Sequence, residues 1–113
     1  MNPNEFEREL HWIDNKLVKG MGKIHYLCII NRGVSTGYDI IKYIKKNFHI
    51  NLSTAAVYPL LQSLETEGYL TAVWKKEGYP NKKSYSITPK GKKLLTAAKK
   101  RIHAIIYEEI TKR

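Results

Sequence analysis

The 113-residue chain predicts a mainly helical α+β domain, and three observations carry that expectation. Up to Gly68, apolar residues recur at steps of three and four, the mark of helices that each turn one face inward. From Leu70 to Ile87 that period gives way to β-branched and aromatic residues around a polar loop, the pattern of a hairpin. From Thr88 the helical period returns and persists through Ile110.

Phe6, Leu10, Ile13, Leu17 and Met21 alternate steps of four and three, the narrow seam of a helix that packs on another helix. Gly20 and Gly22 end it. Ile24, Leu27, Cys28 and Ile30 then form a nearly all-apolar helix that stops at Asn31-Arg32-Gly33 and belongs in the core. Among those neighbours Cys28 is expected as a buried structural thiol. Ser35 or Thr36 caps a third helix, with Ile40, Ile41, Ile44 and Phe48 inward and Lys42, Lys45 and Lys46 outward. A turn through His49-Ile50-Asn51 leads to the fourth.

The fourth helix holds the main puzzle. Ser53 is a good N-cap, Val57, Leu60, Leu61 and Leu64 make one apolar face, and Gly68 with Leu64 and Tyr69 predicts a Schellman ending. Yet Pro59 falls inside, where a proline costs about 3 kcal/mol. Either the helix runs through it, with the Ala55 carbonyl losing its donor and the first turns tilting, or Pro59 opens a shorter helix. Both readings leave Tyr58 beside the bend, opposite the leucines.

Leu70 to Lys76 and Lys83 to Ile87 read as the two strands of a hairpin, with Glu77-Gly78-Tyr79-Pro80-Asn81 as its loop and a basic tip. Thr88-Pro89-Lys90-Gly91 caps and opens the last helix. Its Leu95, Ala98, Ile102 and Ile105 repeat the three-four seam, and Leu94, Ile106 and Ile110 widen it. That stripe exceeds what a core this small needs. With Leu10, Ile13 and Leu17 of the first helix, residues Leu95, Ala98, Ile102, Ile105 and Ile106 are expected to form a homodimer interface; the alternative is that both helices only cover their own subunit.

Composition narrows the function. The longest apolar run, Tyr26 to Ile30, is far too short to span a bilayer, and the acidic, polar start argues against a secretory signal, so a cytoplasmic protein without a membrane partner is expected. One cysteine makes neither an internal disulfide nor a thiolate cluster, and histidines 11, 25, 49 and 103 lack ligand spacing, so no metal or other cofactor is expected. No Ser-His-Asp set, no glycine-rich phosphate loop and no paired acids outside Glu108-Glu109 suggest catalysis. The net charge of +10 is uneven: residues 1–70 carry eight Lys or Arg against seven Asp or Glu, and residues 71–113 carry twelve against three. An anionic partner would offset that excess, with nucleic acid ahead of a membrane surface.

Two short helices joined by a turn and followed by a basic hairpin describe a winged helix-turn-helix, residues 22–87, with an N-terminal amphipathic helix (1–21) and a C-terminal dimerisation helix (88–113). Groove recognition requires small or polar residues at the N-terminal end of the second helix, and Thr54, Ala55, Tyr58 and Gln62 meet that need. Thr54 and Ala55 allow close approach, Gln62 suits adenine in the major groove, and Tyr58 suits a phosphate. Free amides at the Ser53 cap offer a second phosphate site. Lys75 and Lys76 on the outgoing strand, with Lys82 and Lys83 on the return, would track the backbone of double-stranded DNA or enter its minor groove.

The segments TGYDIIKYI, LSTAAVYPLLQSLETEGYL and KKSYSITPKGKKLL, in that order, resemble the PadR family of winged-helix transcriptional regulators over roughly residues 22–110. The resemblance implies a dimeric repressor, with the C-terminal helix in the dimer interface, that releases operator DNA when a small-molecule effector binds or a signal arrives. It also implies that Tyr58-Pro59 belongs to the recognition helix and shapes its DNA-facing turn, that Tyr58 touches phosphate or base, that Lys82 and Lys83 serve the wing, and that Thr36 with Tyr38 meets the DNA backbone. The chain departs from the family pattern in Thr36-Gly37-Tyr38, where His-Gly-Tyr is frequent, and in Ala55-Ala56, where Gly-Thr is frequent. Its single C-terminal helix matches the short branch. Some short members bind flat drugs at a dimer pore through aromatic residues; Trp12 and Trp74 lie on other elements and are expected in the core. Two rival readings are an architectural DNA binder with little sequence preference and a winged-helix module that binds protein.

Overall fold

The computed structural model describes residues 2–75 and 82–112. Six helices and one hairpin follow in the order α1 (Pro3–Gly20), α2 (Gly22–Asn31), α3 (Gly37–Phe48), α4 (Thr54–Thr66), β1 (Leu70–Lys75), β2 (Lys82–Ile87), α5 (Pro89–Ile102) and α6 (Glu108–Thr111), with a π-helical turn at His103–Tyr107 between the last two. Lys76 and the loop 77–81, where the basic tip was expected, lie outside the described residues.

Side-chain caps set most helix starts. Asn2 accepts from the Glu5 amide at 2.9 Å, Thr36 from Asp39 at 3.1 Å, Ser53 from Ala56 at 3.1 Å and Thr88 from Gly91 at 3.0 Å. Each satisfies one of the amides that a helix start leaves without a partner. Thr36 therefore caps α3, while the Ser35 carbonyl accepts from the Tyr85 amide at 2.7 Å and ties the α2–α3 turn to β2. The helix α4 ends as its sequence predicts: Gly68 has φ +84°, Tyr69 N–H donates to Leu64 and Gly68 N–H to Glu65, the paired bonds of a Schellman motif.

The core gathers around α2, which touches α1, α4, α5 and β2. Leu27, Ile40, Ile44, Val57, Leu61 and Leu64 lose all contact with water, and Ile29, Ile30, Ile50, Leu70 and Tyr85 nearly all. Burying any one of these side chains stabilises the fold by about 1.5–3 kcal/mol, so the face of α4 is enough to offset its proline. The helix runs unbroken through Pro59, which rules out the shorter-helix alternative. Ala55 and Pro59 are both exposed, so the carbonyl that loses its donor is on the wet side.

Two expectations fail, each for its own geometric reason. Cys28 is exposed rather than buried: the apolar run Tyr26–Ile30 goes more than once round the helix axis, so one residue must look away from the core. Its thiol faces an apolar cleft of about 300 Å³ among α1, α2, α3 and Ile102, and partial burial there pushes its pKa up. Trp12 and Trp74 are 56% and 66% exposed instead of buried. Trp12 lies on an α1 that buries only Val18, and Trp74 near the outer end of a strand that outruns the core.

The C-terminal segment also differs from a single uniform helix. Leu94, Leu95 and Ala98 are half-buried, but every described side chain from Lys99 onward is exposed, and the helical ladder widens to a π-turn at His103–Tyr107. Ile102, Ile105, Ile106 and Ile110 thus project an apolar surface that this chain does not cover. The seam of α1 does the same with Phe6, Leu10, Ile13 and Leu17.

Candidate nucleic-acid interface

The two faces of α4 divide as their residue types require. Val57, Leu61 and Leu64 are buried, Leu60 is half-buried, and Ser53, Thr54, Ala55, Tyr58 and Gln62 all face solvent. The start of α4 is therefore bare except for short side chains, with the helix-dipole positive end and free amides at its tip. The Tyr58 ring leans back on α3. A β-carbon at Gly37 would sit 2.7 Å from that ring, so this position admits only a glycine without rearrangement, and the contact fixes the ring against the start of α3.

Beside that ring stands a cationic cluster. Tyr38, 53% exposed, has Lys42 Nζ at 5.2 Å and Lys82 Nζ at 5.8 Å from its ring centre. Both distances are within cation–π range, so the ring holds two ammonium groups from different elements, α3 and β2, on one surface. Lys42 was not singled out from the sequence for this role. The Tyr38–Lys42 spacing of four on a helix is the signal that could have found it.

The hairpin contributes a second pair. Its strands run antiparallel with Leu70 opposite Ile87 through to Lys75 opposite Lys82. Two lysines facing each other across a ladder repel, so this end of the hairpin is held together against its own charge. Between hairpin and α4 lies a cleft of about 590 Å³ with Tyr38, Tyr58, Gln62, Trp74 and Lys82 among its walls.

Four predicted site residues already have partners, the first being Ser53, whose hydroxyl caps α4. The Thr36 hydroxyl caps α3. Gln62 donates to Thr66 Oγ1 at 3.3 Å along its own helix, a hydrogen bond it must leave to reach a base. Lys83, expected among the wing cations, instead donates to Glu65 Oε1 at 2.6 Å, and the two side chains keep only 19% and 27% of their exposure. That hydrogen bond raises the Lys83 pKa, and burial raises that of neighbouring Tyr85. The sequence offers no warning, because Glu65 and Lys83 are far apart in the chain and meet only when the hairpin folds back on α4.

Known structures share this fold. A PadR family transcriptional regulator from Eggerthella lenta superposes with a TM-score of 0.73 at 20% identity, over 96% of this chain and 98% of that one. A PadR-like transcriptional regulator from Bacillus cereus gives 0.71 at 24% identity, over 87% and 99%. Bacillus subtilis PadR, solved in complex with operator DNA, gives 0.62 at 30% identity, over 68% of this chain and 44% of that one. A comparison with curated proteins finds no match. The sequence pattern of the PadR-like transcriptional regulators matches residues 26–97, well over half of the chain and the stretch from within α2 to the middle of α5 that includes the surface just described. The chain accordingly belongs to the PadR-like family of transcriptional regulators.

Proposed function

We propose that the chain binds double-stranded DNA as a homodimer and acts as a repressor that a small molecule or another signal releases from its operator. The observation that carries DNA binding is the cluster of cations on the surface shared by α3, α4 and the hairpin: Lys42 and Lys82 on the Tyr38 ring, and Lys75 opposite Lys82. Mutual repulsion costs stability in the free protein and becomes attraction on a phosphate backbone. The complex of Bacillus subtilis PadR with operator DNA supports the same reading. Thr54, Ala55 and Tyr58 enter the major groove, the Ser53 cap and Thr36 with Tyr38 meet phosphates, and Lys75 and Lys82 follow the backbone.

Dimerisation follows from the two arms. A compact chain of this length has a radius of gyration of about 13 Å, whereas this protomer measures 16.0 Å. Its long arms are amphipathic, and an isolated helix of their length is marginal in water, so the seam of Leu10, Ile13 and Leu17 and that of Leu95, Ala98, Ile102, Ile105 and Ile106 pack on a second copy. In this reading residues 22–87 read DNA, 88–113 dimerise and 1–21 support the dimer. No helix among the described residues is long and apolar enough to cross a membrane. A regulator on DNA, rather than an enzyme, works in the cytoplasm.

Selection of duplexes from a random pool by the purified protein, followed by footprinting, tests the reading. A specific repressor enriches a pseudo-palindrome and binds it more than about a thousandfold tighter than random duplex at fixed salt. A ratio near one would favour the architectural alternative, to which the Gln62–Thr66 hydrogen bond lends weight. Tyr58→Phe keeps the ring on Gly37 and removes the hydroxyl; about a tenfold loss of operator affinity is expected, and unchanged affinity would show that the hydroxyl makes no useful contact.

A further inference from the structure

The hairpin is fastened to the rest of the domain in three places, one of them the Tyr85 N–H to Ser35 carbonyl bond that ties the inner half of β2 to the α2–α3 turn. At its root, Thr88 Oγ1 donates to the Gly68 carbonyl at 2.7 Å and Thr88 N–H to the Tyr69 carbonyl at 3.1 Å. These bonds fix where the strands begin. Farther out, the hydrogen bond from Lys83 to Glu65 is the one side-chain bond between α4 and the hairpin among the described residues. Lys83 is cross-strand from Trp74, its Nζ lies 5.5 Å from the Trp74 ring centre and 5.7 Å from that of Tyr85, and so carboxylate and rings hold the ammonium between them. Outward of Tyr85 no backbone hydrogen bond ties the described part of the ribbon to another element, and a two-stranded ribbon twists and bends easily. Something must set its angle to the helix it works beside.

We propose that Lys83 is a positioning residue, a strut that with Glu65 fixes the angle of the hairpin to α4, and that it gives no charge to DNA. This rests on the DNA-binding reading above. Among the described residues, the hairpin's phosphate contacts then fall to Lys75 and Lys82, whose spacing from α4 the strut sets. The chemistry agrees: a lysine already neutralised by a close carboxylate releases no counterion when DNA arrives, whereas the cations on Tyr38 do.

The two jobs separate in the dependence of affinity on salt. Binding of a duplex selected by the wild-type protein is measured from low to moderate salt for Lys82→Met, Lys83→Met, Glu65→Met and the exchange Glu65→Lys with Lys83→Glu. Lys82→Met flattens the slope of log affinity against log salt by about 0.9 for each phosphate that is no longer neutralised. Lys83→Met keeps its apolar stem over Trp74; it weakens binding about fivefold to tenfold at every salt and leaves the slope unchanged. Glu65→Met weakens binding to the same degree although it removes a negative charge, and the exchanged pair recovers most of the loss. Were Lys83 a phosphate ligand, Glu65→Met would free it and tighten binding, and Lys83→Met would flatten the slope as Lys82→Met does. Either result overturns the proposal.

A second measurement needs no DNA. In a Trp12→Phe background Trp74 is the single tryptophan, and Glu65→Met leaves Lys83 itself in place. A strut predicts that Glu65→Met shifts the Trp74 emission and its quenching by iodide, because the hairpin moves. Unchanged emission and quenching would refute the strut even if the wild-type protein binds DNA tightly. Failure of the wild type to select any duplex would instead strike the DNA-binding reading and leave the strut to this optical test.

Discussion

The winged region and the two arms of this molecule use the same kind of helix to opposite ends. In α3 and α4 the inward apolar residues Ile40, Ile44, Val57, Leu61 and Leu64 are fully buried within one chain. In α1 and beyond Ala98, an equally regular apolar seam faces outward. Amphipathicity therefore tells that a helix has a partner, and whether the partner is intramolecular depends on how much core surface remains to cover. In the winged region α2 lies at the centre and offers faces to α1, α4, α5 and β2, so little is left over for the far ends of the arms.

The comparison breaks most visibly under substitution. Leu61→Ala, in the fully buried face of α4, should cost about 2–5 kcal/mol, since the cavity opens where α4 packs on the rest of the core. Urea unfolding checks it, with the midpoint falling at unchanged slope. Ile106→Glu, on the exposed arm, should leave the helical content and the unfolding of the winged region nearly intact. It should weaken self-association at least about a hundredfold, because the proposed dimer would bury two copies of the charge. Sedimentation as a monomer with a native circular dichroism spectrum is the expected result. A large loss of helix on Ile106→Glu, or wild-type protein already monomeric, would mean that the arms do not depend on a second copy.

What could be read from the sequence follows the range of the interactions. Caps and stops act within a few residues, so Ser53, Gly68 and Thr88 were legible as written. Periodicity gave the inner face of α4 and placed Thr54, Ala55, Tyr58 and Gln62 outside. It could not tell which residue of an all-apolar helix faces out, and Cys28 was misplaced for that reason. Nor could it tell that β1 extends past the core, which leaves Trp74 in the cleft. Pairings between distant residues were invisible. Lys83 reads as one more basic residue until folding sets it against Glu65, and Lys42 reads as a solvated lysine until Lys82 arrives on the other side of Tyr38.

The smallest effect falls on the seam between the two regions. His25 on α2 meets Phe48 edge to face, with ring centres 5.6 Å apart, and lines the apolar cleft beneath α1 with Asp14, Leu17 and Cys28. Burial lowers its pKa from the ordinary 6.5. The sign follows: a depressed pKa means that the unfolded chain takes up the proton first, so the contribution of neutral His25 is complete above about pH 6.5 and is lost as pH falls toward the folded value. The residue is only partly buried, which limits the drop to on the order of 1–2 °C in Tm between pH 7.5 and 5.5 after allowance for solvent screening. His25→Gln should remove that component of the slope. A second copy packed over α1 would shut water out of the cleft and deepen the burial, so the His25-dependent slope should be steeper in the wild-type dimer than in monomeric Ile106→Glu. Equal slopes in the two would mean that the partner does not reach over this cleft and that dimer contacts are confined to the outer arms.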